Sequence, residues 1–347
     1  MRPRIDLYLT RDNLLQLDEI TYFSATLHEF TRKVVEVIDH VLSSPGVYPD
    51  DVVFEFARHV RTAQTYLAGS VAKESPYEMG YCLRKALPRW TSRRTIITTA
   101  LTSGHDFHLQ PADPWQFITK TITGYDAGGY DPLLVLIGVP RIYRHKPVFC
   151  IPLYHELGHF VDNTLGVCNY SLLKLPPPTP AHRQLEWYHR REYFADLFCA
   201  CYTGRASART LETIAPNAPP SLTHPATAVR VALIEDFLAG RTNQIIDHLQ
   251  ECLMDLGAPA LMPLFTLPDI SENFNDMRPF VLNTDEHLHG IFEAAWDYLG
   301  SCLDARMAPW IAPNFTESDI ERIVNDLSEK TIRNMSIRER WSSAVAS

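Results

Sequence analysis

The chain has 347 residues, of which 46% are hydrophobic and 21% are charged. This composition is that of a globular protein with a substantial core, arranged as one elaborated domain or as two to three packed subdomains. The formal net charge of −9, without a clustered basic face, argues against a nucleic-acid-binding surface. The longest strongly apolar run, Leu133 to Val139, is far shorter than the roughly 20 residues that span a bilayer, so we expect no membrane insertion.

The cysteines and the first residues of the chain indicate the cellular compartment in which the protein is found. Seven cysteines are scattered along the chain, and their spacing suggests no disulfide framework. The first residues lack the apolar core of a secretory signal. Both features favour reduced thiols, and the sequence therefore predicts a cytoplasmic protein.

Three regions follow one another along the chain. Residues 1–90 show helical periodicity and form a predicted N-terminal helical region. In the central region, residues 91–240, two runs rich in β-branched and aliphatic residues predict strands, at Thr95 to Leu101 and at Leu133 to Val139. Residues 241–347 form a predicted C-terminal helical region, with amphipathic helices at Asn243 to Leu256, His287 to Leu303 and Glu317 to Arg333.

The central region contains the pentapeptide His155-Glu156-Leu157-Gly158-His159. On a helix, residues four apart lie on one face, so the imidazoles of His155 and His159 can bind the same metal ion. Glu156 lies about 100° around the helix, where its carboxylate can act as a general base on a metal-bound water without being a ligand. The pattern therefore predicts a catalytic zinc site.

Two residues near the histidines fit a helix at this position. Pro152 suits a first helical turn, where its missing N–H costs nothing. Gly158 costs about 1 kcal/mol in helix propensity, and such a glycine usually has a packing or active-site reason.

A catalytic zinc site normally has three protein ligands and an open fourth position. A third histidine six residues after the second is excluded, because Leu165 stands there. Glu192 is the better candidate, and its helical pattern, Gln184 to Tyr202, places Asp196 one turn further along the same face. There Asp196 can accept a hydrogen bond from the non-ligating nitrogen of a histidine ligand and so fix its orientation.

Two further residues of the same helical pattern have open roles. His189 falls one turn before Glu192, so it could serve as an alternative ligand, although a polar helix face explains it equally well. Cys199 could bind zinc and hold an enzyme latent, but packing of a small buried side chain between helices is the favoured interpretation.

The combination of His155-Glu156-x-x-His159 with Glu192-x-x-Ala195-Asp196 resembles the gluzincin class of metallopeptidases. Soluble ImmA/IrrE-like proteases share both pieces. Thr223-His224-Pro225 followed by Arg230 looks like an element of HtpX-like membrane proteases. The chain departs from the HtpX-like pattern in lacking membrane spans, and from the ImmA-like pattern in carrying the His-Pro segment.

This resemblance implies a fold as well as a site. It implies an α+β, predominantly helical protein with a zincin-like metallopeptidase core, in which a small sheet precedes the metal-bearing helix. In such a core an edge strand pairs with extended substrate, and the run ending at Val139-Pro140 is our candidate for that strand. By the same resemblance, His224 and Arg230 border the site and help to hold the substrate carbonyl or the oxyanion.

The site residues together predict a zinc-dependent metalloendopeptidase. Zinc held by His155, His159 and Glu192 would activate a water molecule, and Glu156 would take its proton and return it to the leaving amine. The oxyanion needs a second donor, for which His224 is the first candidate. The other candidates are Arg230 and a tyrosine of the cleft, namely Tyr154, Tyr188 or Tyr202.

The expected partner is a specific protein or peptide substrate, with a regulatory partner on the helical flanks left open. One alternative is a non-catalytic interaction protein in which zinc staples helices together. Another is a latent protease that cleaves one protein after a signal, as ImmA-like proteases by resemblance cleave repressors. The intact Glu156 favours catalysis, because a closed structural site would need a fourth ligand and no base.

Overall fold

The computed structural model describes residues 3–20, 25–71, 76–110, 113–174 and 180–346. Helices predominate and one small mixed sheet accompanies them, so the α+β, predominantly helical class is confirmed. The first helices are α1 (Pro3–Asp18), α2 (Ala25–Ser43), α3 (Asp50–Val71) and α4 (Tyr77–Ala86). The sheet and its helix comprise β1 (Thr95–Thr102), β2 (His108–Gln110), α5 (Pro114–Thr121) and β3 (Leu133–Pro140). The later helices are α6 (Pro152–Leu165), α7 (Val167–Leu173), α8 (Pro180–Thr203), α9 (Ala206–Ile214), α10 (Thr227–Leu238), α11 (Gln244–Asp255), α12 (Ser271–Asn275), α13 (Asp285–Ala305) and α14 (Glu317–Ala346).

The chain forms two compact units. The first unit comprises Met1–Gly80 and Thr91–Arg144, and the second comprises Tyr81–Trp90 and His145–Ser347. The division into three sequence regions stays a prediction.

The first unit holds the sheet, whose strand order is β1-β3-β2. β1 pairs in parallel with β3, from Thr95 opposite Leu133 to Thr102 opposite Pro140, and β2 pairs with β3 in antiparallel fashion. The predicted strands at Thr95 to Leu101 and Leu133 to Val139 are thus confirmed. β2 was not predicted, because three residues are too few to show a period.

Helix α3 covers the outer edge of β1. The hydroxyl of Ser70 accepts a hydrogen bond from the backbone N–H of Thr99 at 3.1 Å. A Cβ at Gly69 would lie 2.6 Å from the carbonyl oxygen of Thr99, so only glycine permits this approach. The contact protects an otherwise unpaired strand edge.

The prediction that the run ending at Val139-Pro140 is an edge strand is wrong. β3 is the central strand, with β1 on one side and β2 on the other. All eight of its residues are buried, as expected for a strand that is covered on both faces. Its continuous apolar run, without alternation, was the signal for a central strand.

The second unit carries the helices from α6 to α14. α6 packs against α8, and α13 contacts α8 and α14. The predicted C-terminal helices correspond to α11, α13 and α14, of which α14 extends beyond the predicted end. In the part of the chain that the structure describes, every helix is too short or too polar to cross a membrane.

Candidate metal centre

Helix α6 carries the two histidines, as the sequence predicts. Pro152 occupies its first turn, and Gly166, in the left-handed conformation with φ of 73°, ends it. The rings of His155 and His159 lie one helical turn apart, with centroids separated by 4.6 Å. The opposite side of the helix is apolar and buried, which fixes the direction in which the histidines face.

Helix α8 presents the carboxylates to these histidines. Glu192 and Asp196 are only 7% and 4% exposed. Asp196 lies against His155, and Glu192 lies against His159. The two helices therefore run antiparallel, and this arrangement brings residues from two distant parts of the sequence to one point.

Gly158 is the residue that lets α6 and α8 approach each other. A Cβ at this position would lie 2.8 Å from Cα of Ala195 and 3.1 Å from Cβ of Phe198. The expectation that Gly158 has a packing reason is thereby met. Ala195 supplies the matching small side chain on α8, so both small residues of the two motifs belong to one contact.

Gly158→Ala is expected to destabilise the protein although alanine is the better helix former. The clash with the α8 backbone should outweigh the propensity gain and cost roughly 1–2 kcal/mol in the free energy of unfolding. Denaturant unfolding measures this change. Gly300→Ala in α13 is the matched control, because nothing lies within 4 Å of a Cβ there, and it should be neutral or stabilising. A Gly158→Ala protein as stable as wild type would contradict the packing argument.

His155, His159 and Glu192 each offer a ligand atom, and these atoms lie within 4.8 Å of one another. Nε2 of His155 is 3.4 Å from Oε2 of Glu192, and Nε2 of His159 is 3.3 Å from Oε1 of the same carboxylate. Ligands about 2.0–2.2 Å from one tetrahedral ion are about 3.3–3.6 Å apart. Among the described residues, this is the single group of three or more that could hold a metal ion.

The oxygen Oε2 of Glu192 is buried and forms no hydrogen bond with good geometry. Nη2 of Arg230 lies 3.2 Å away and Nε2 of His155 lies 3.4 Å away, so this oxygen is already in an ion pair and keeps a lone pair that a metal ion can use. The three-residue group therefore has the donor types and the spacing of a metal site.

Asp196 contacts the first histidine, and its role in orienting that ring for a metal stays a prediction. Its Oδ1 is 3.0 Å from Nδ1 of His155, so Nε2 of that ring is the nitrogen left for a metal. The same carboxylate accepts two hydrogen bonds of 2.7 Å from Arg230, one on each oxygen. Nδ1 of His159 is buried without a hydrogen bond to any described residue, so the second histidine lacks such an orienting partner.

The electrostatics of the cluster favour positive charge at its centre. Burial lowers the pKa of His155, but the hydrogen bond with Asp196 and the negative charges of Asp196 and Glu192 outweigh it and raise that pKa to about 10. Burial would raise the pKa of Glu192, yet the two histidines hold it well below its usual value. The pKa of Asp196 is likewise lowered, since burial is outweighed by the charge of Arg230. The field that favours a protonated imidazole also attracts a metal cation.

His224 and Arg230 both lie at the cluster. Nε2 of His224 is 3.7 Å from Oε2 of Glu192, and its side chain is 56% exposed. Arg230 is buried, and its guanidinium contacts Asp196 and Glu192. Contact of either residue with a substrate stays a prediction, but the burial of Arg230 favours a role in holding the two carboxylates.

Glu156 lies on α6 beside His155 and is partly exposed, unlike the buried carboxylates of α8.

His189 and Cys199, the two other candidates on α8, have partners of their own. Nε2 of His189 donates a hydrogen bond of 2.9 Å to the carbonyl oxygen of Ser221, since a carbonyl can only accept. It does not belong to the three-residue group. Cys199 is buried, contacts the carbonyl of Ile151 and the hydroxyl of Thr203, and has its pKa raised by burial to about 12. These contacts agree with packing rather than metal binding.

Two of the three candidate tyrosines do not line a cleft. Tyr154 is fully buried, and its hydroxyl is 2.8 Å from Nδ1 of His289. Tyr202 is buried as well, and its hydroxyl donates to the carbonyl of Ala86. The prediction that either could reach an oxyanion is wrong, because their positions on α6 and α8 point into the core. Tyr188 remains partly exposed.

His289 should make the second unit sensitive to acid. Burial, followed by the charge of Lys85, lowers the pKa of His289 to about 3. The unfolded chain therefore takes up a proton on His289 below about pH 6.5, whereas the folded protein takes it up only near pH 3. As the pH is lowered through this window, the free energy of unfolding falls by up to about 1.4 kcal/mol per pH unit. His289→Asn, which keeps a polar atom near Tyr154, should remove that slope in urea unfolding between pH 7 and 5. The same change at the exposed His105 is the control, and an unchanged slope in His289→Asn would contradict the assignment.

Comparison with known proteins adds no assignment: the chain matches no protein-family model, no curated protein and no solved structure.

Proposed function

We propose that the protein is a zinc-dependent metalloendopeptidase with a zincin-like core that cleaves a specific cytoplasmic protein. The observation that carries this proposal is the convergence of His155, His159 and Glu192, with Glu156 one residue after the first histidine. Two histidines and a carboxylate are a common donor set for catalytic zinc. The gluzincin resemblance and the cytoplasmic location belong to the proposal.

Each residue has a role that its surroundings support. His155, His159 and Glu192 would hold the ion, which when bound supplies Lewis-acid activation of water and of the scissile carbonyl. Glu156, partly exposed on the same helix, takes a proton from the attacking water and later gives it to the leaving amine. Asp196 keeps the ring of His155 in one orientation.

The remaining charged residues divide into an exposed and a buried one. His224 is exposed beside Glu192, so a ring N–H can donate to the developing oxyanion. Arg230 is buried against Asp196 and Glu192, so it acts as a positioning residue that holds both carboxylates in place.

An open catalytic site is better supported than a structural zinc staple. Structural zinc sites have four protein ligands, whereas the group here has three. A staple also needs no general base, whereas a partly exposed glutamate, Glu156, directly follows the first histidine in the chain.

The test compares newly formed protein N-termini in cells that carry the wild-type protein or the Glu156→Gln variant. N-termini that arise only with wild type would establish a protease and identify the substrate and its cleavage site. Their absence, with zinc bound in both proteins and in cells under several stresses, would refute the protease and favour the interaction protein.

A further inference from the structure

Three residues on one face of α8 contact a single later segment of the chain. His189, Glu192 and Asp196 are spaced by three and four residues, which places them in a row along the helix. Their partners, in the same order, are Ser221, His224 and Arg230. The segment 221–230 therefore runs alongside α8 and meets it at three consecutive points.

The segment 221–230 is held firmly to α8 at its C-terminal end, by Arg230. Arg230 belongs to α10 and forms two hydrogen bonds of 2.7 Å with Asp196, both groups being buried. The middle point is the contact of His224 with Glu192, at 3.7 Å and largely exposed. That contact is too long to fix an imidazole by itself.

The other end is attached through His189. Its Nε2 donates to the carbonyl oxygen of Ser221 at 2.9 Å. Ser221 in turn forms three hydrogen bonds with His224. Its hydroxyl accepts from the backbone N–H of His224 at 3.0 Å, and its own N–H and its hydroxyl both donate to the carbonyl of His224, at 2.8 Å and 3.4 Å. The position of Ser221 thus determines the position of the His224 backbone.

The ring of His224 is held from a third direction. Its Nδ1 is 2.8 Å from the hydroxyl of Thr223, which leaves Nε2 directed at Glu192. Thr223 sets the orientation of the His224 ring, and Ser221 sets the position of its backbone. Both residues belong to a tight turn that His189 connects to α8.

We propose that His189 is a positioning residue, which holds the turn at Ser221 so that the His224 imidazole stays beside the metal ligands. The proposal rests on the proposed function in assigning His224 a part in catalysis. Because His189 and Glu192 lie one turn apart on α8, the helix that supplies the carboxylate ligand also sets the distance between the metal site and His224.

The first experiment measures amide hydrogen exchange at Ser221 and His224 and requires no activity. His189→Ala should speed exchange at both amides by about 3- to 10-fold, the factor expected for the loss of one hydrogen bond. His189→Gln, whose side-chain amide can donate from the position of Nε2, should restore slow exchange. His182→Ala, at an exposed position of the same helix, is the control. Unchanged exchange in a folded His189→Ala protein would overturn the proposal.

The second experiment uses the substrate identified by N-terminal profiling. His189→Ala should lower kcat with little change in KM and in zinc content, because an oxyanion donor acts in the transition state and the ligands are untouched. The loss should vanish when the change is made in a His224→Ala background, and His189→Gln should recover it. Equal losses in both backgrounds would show that His189 does not act through His224. If the wild-type protein cleaves nothing, the proposed function fails, while the exchange experiment still decides whether His189 holds the turn.

Discussion

Glu156→Gln is expected to leave the metal in place and to slow peptide hydrolysis by about 10²- to 10⁴-fold. The glutamine side chain has the same shape but cannot accept the proton of the attacking water, and general acid–base catalysis typically contributes a factor of this size. Because Glu156 is not among the three ligand residues, metal content should match that of wild type. Single-turnover kinetics on the identified substrate, with metal analysis of the same samples, measures both quantities.

The matched control for this change is Glu186→Gln. Glu186 is an exposed glutamate on α8, so the same loss of charge should leave turnover unchanged. Full activity of Glu156→Gln would remove the residue from catalysis. Loss of metal together with activity would mean that Glu156 is a ligand, and the assignment of Glu192 would then have to change.

Glu192→Ala is expected to lose most of its metal. The change removes one of three ligands and leaves the positive charge of Arg230 close to the site without one of its carboxylate partners. The loss of affinity should exceed the roughly 10- to 100-fold typical of removing a group that only orients a ligand. Asp196→Asn provides that smaller step, since Asp196 contacts His155 and not the metal position. Zinc titration against a competing chelator at constant pH measures the series.

The decisive result of this series is whether Glu192→Ala loses more zinc affinity than Asp196→Asn does. Glu186→Ala, on the exposed part of the same helix, should bind zinc as wild type does. Circular dichroism shows whether each variant is folded, so that loss of metal can be separated from loss of structure. Wild-type zinc affinity in a folded Glu192→Ala protein would contradict the ligand assignment.

The metal-bearing helices could be predicted because their motifs carry strong local signals. The spacing of His155 and His159, Pro152 before them and the helical pattern around Glu192 all depend on residues within a few turns. That the two helices lie together could be predicted from zinc chemistry, because a catalytic zinc site needs a third protein ligand and Glu192 on the second helix can supply it. The helix pair in the structure follows this expectation.

Features set by distant packing could not be predicted in the same way. Tyr154 and Tyr202 have the right chemistry for an oxyanion donor, but their orientation depends on helices far along the chain, such as the α13 that carries His289. The central position of β3 depends on pairing with β2, whose three residues give no pattern. The contact of His189 with Ser221 joins α8 to a turn more than thirty residues later, which no local sequence pattern indicates.

The close contact of Gly158 with Ala195 sets a rule for how such a site can diverge between species. Gly158 and Ala195 contact each other directly, so a larger side chain at either position requires a wider spacing between α6 and α8. A wider spacing would carry Glu192 away from both histidines, and a longer or differently placed ligand would be needed to reach them. A chain that keeps this metal geometry is therefore expected to keep a small residue at both positions, together with the two histidines.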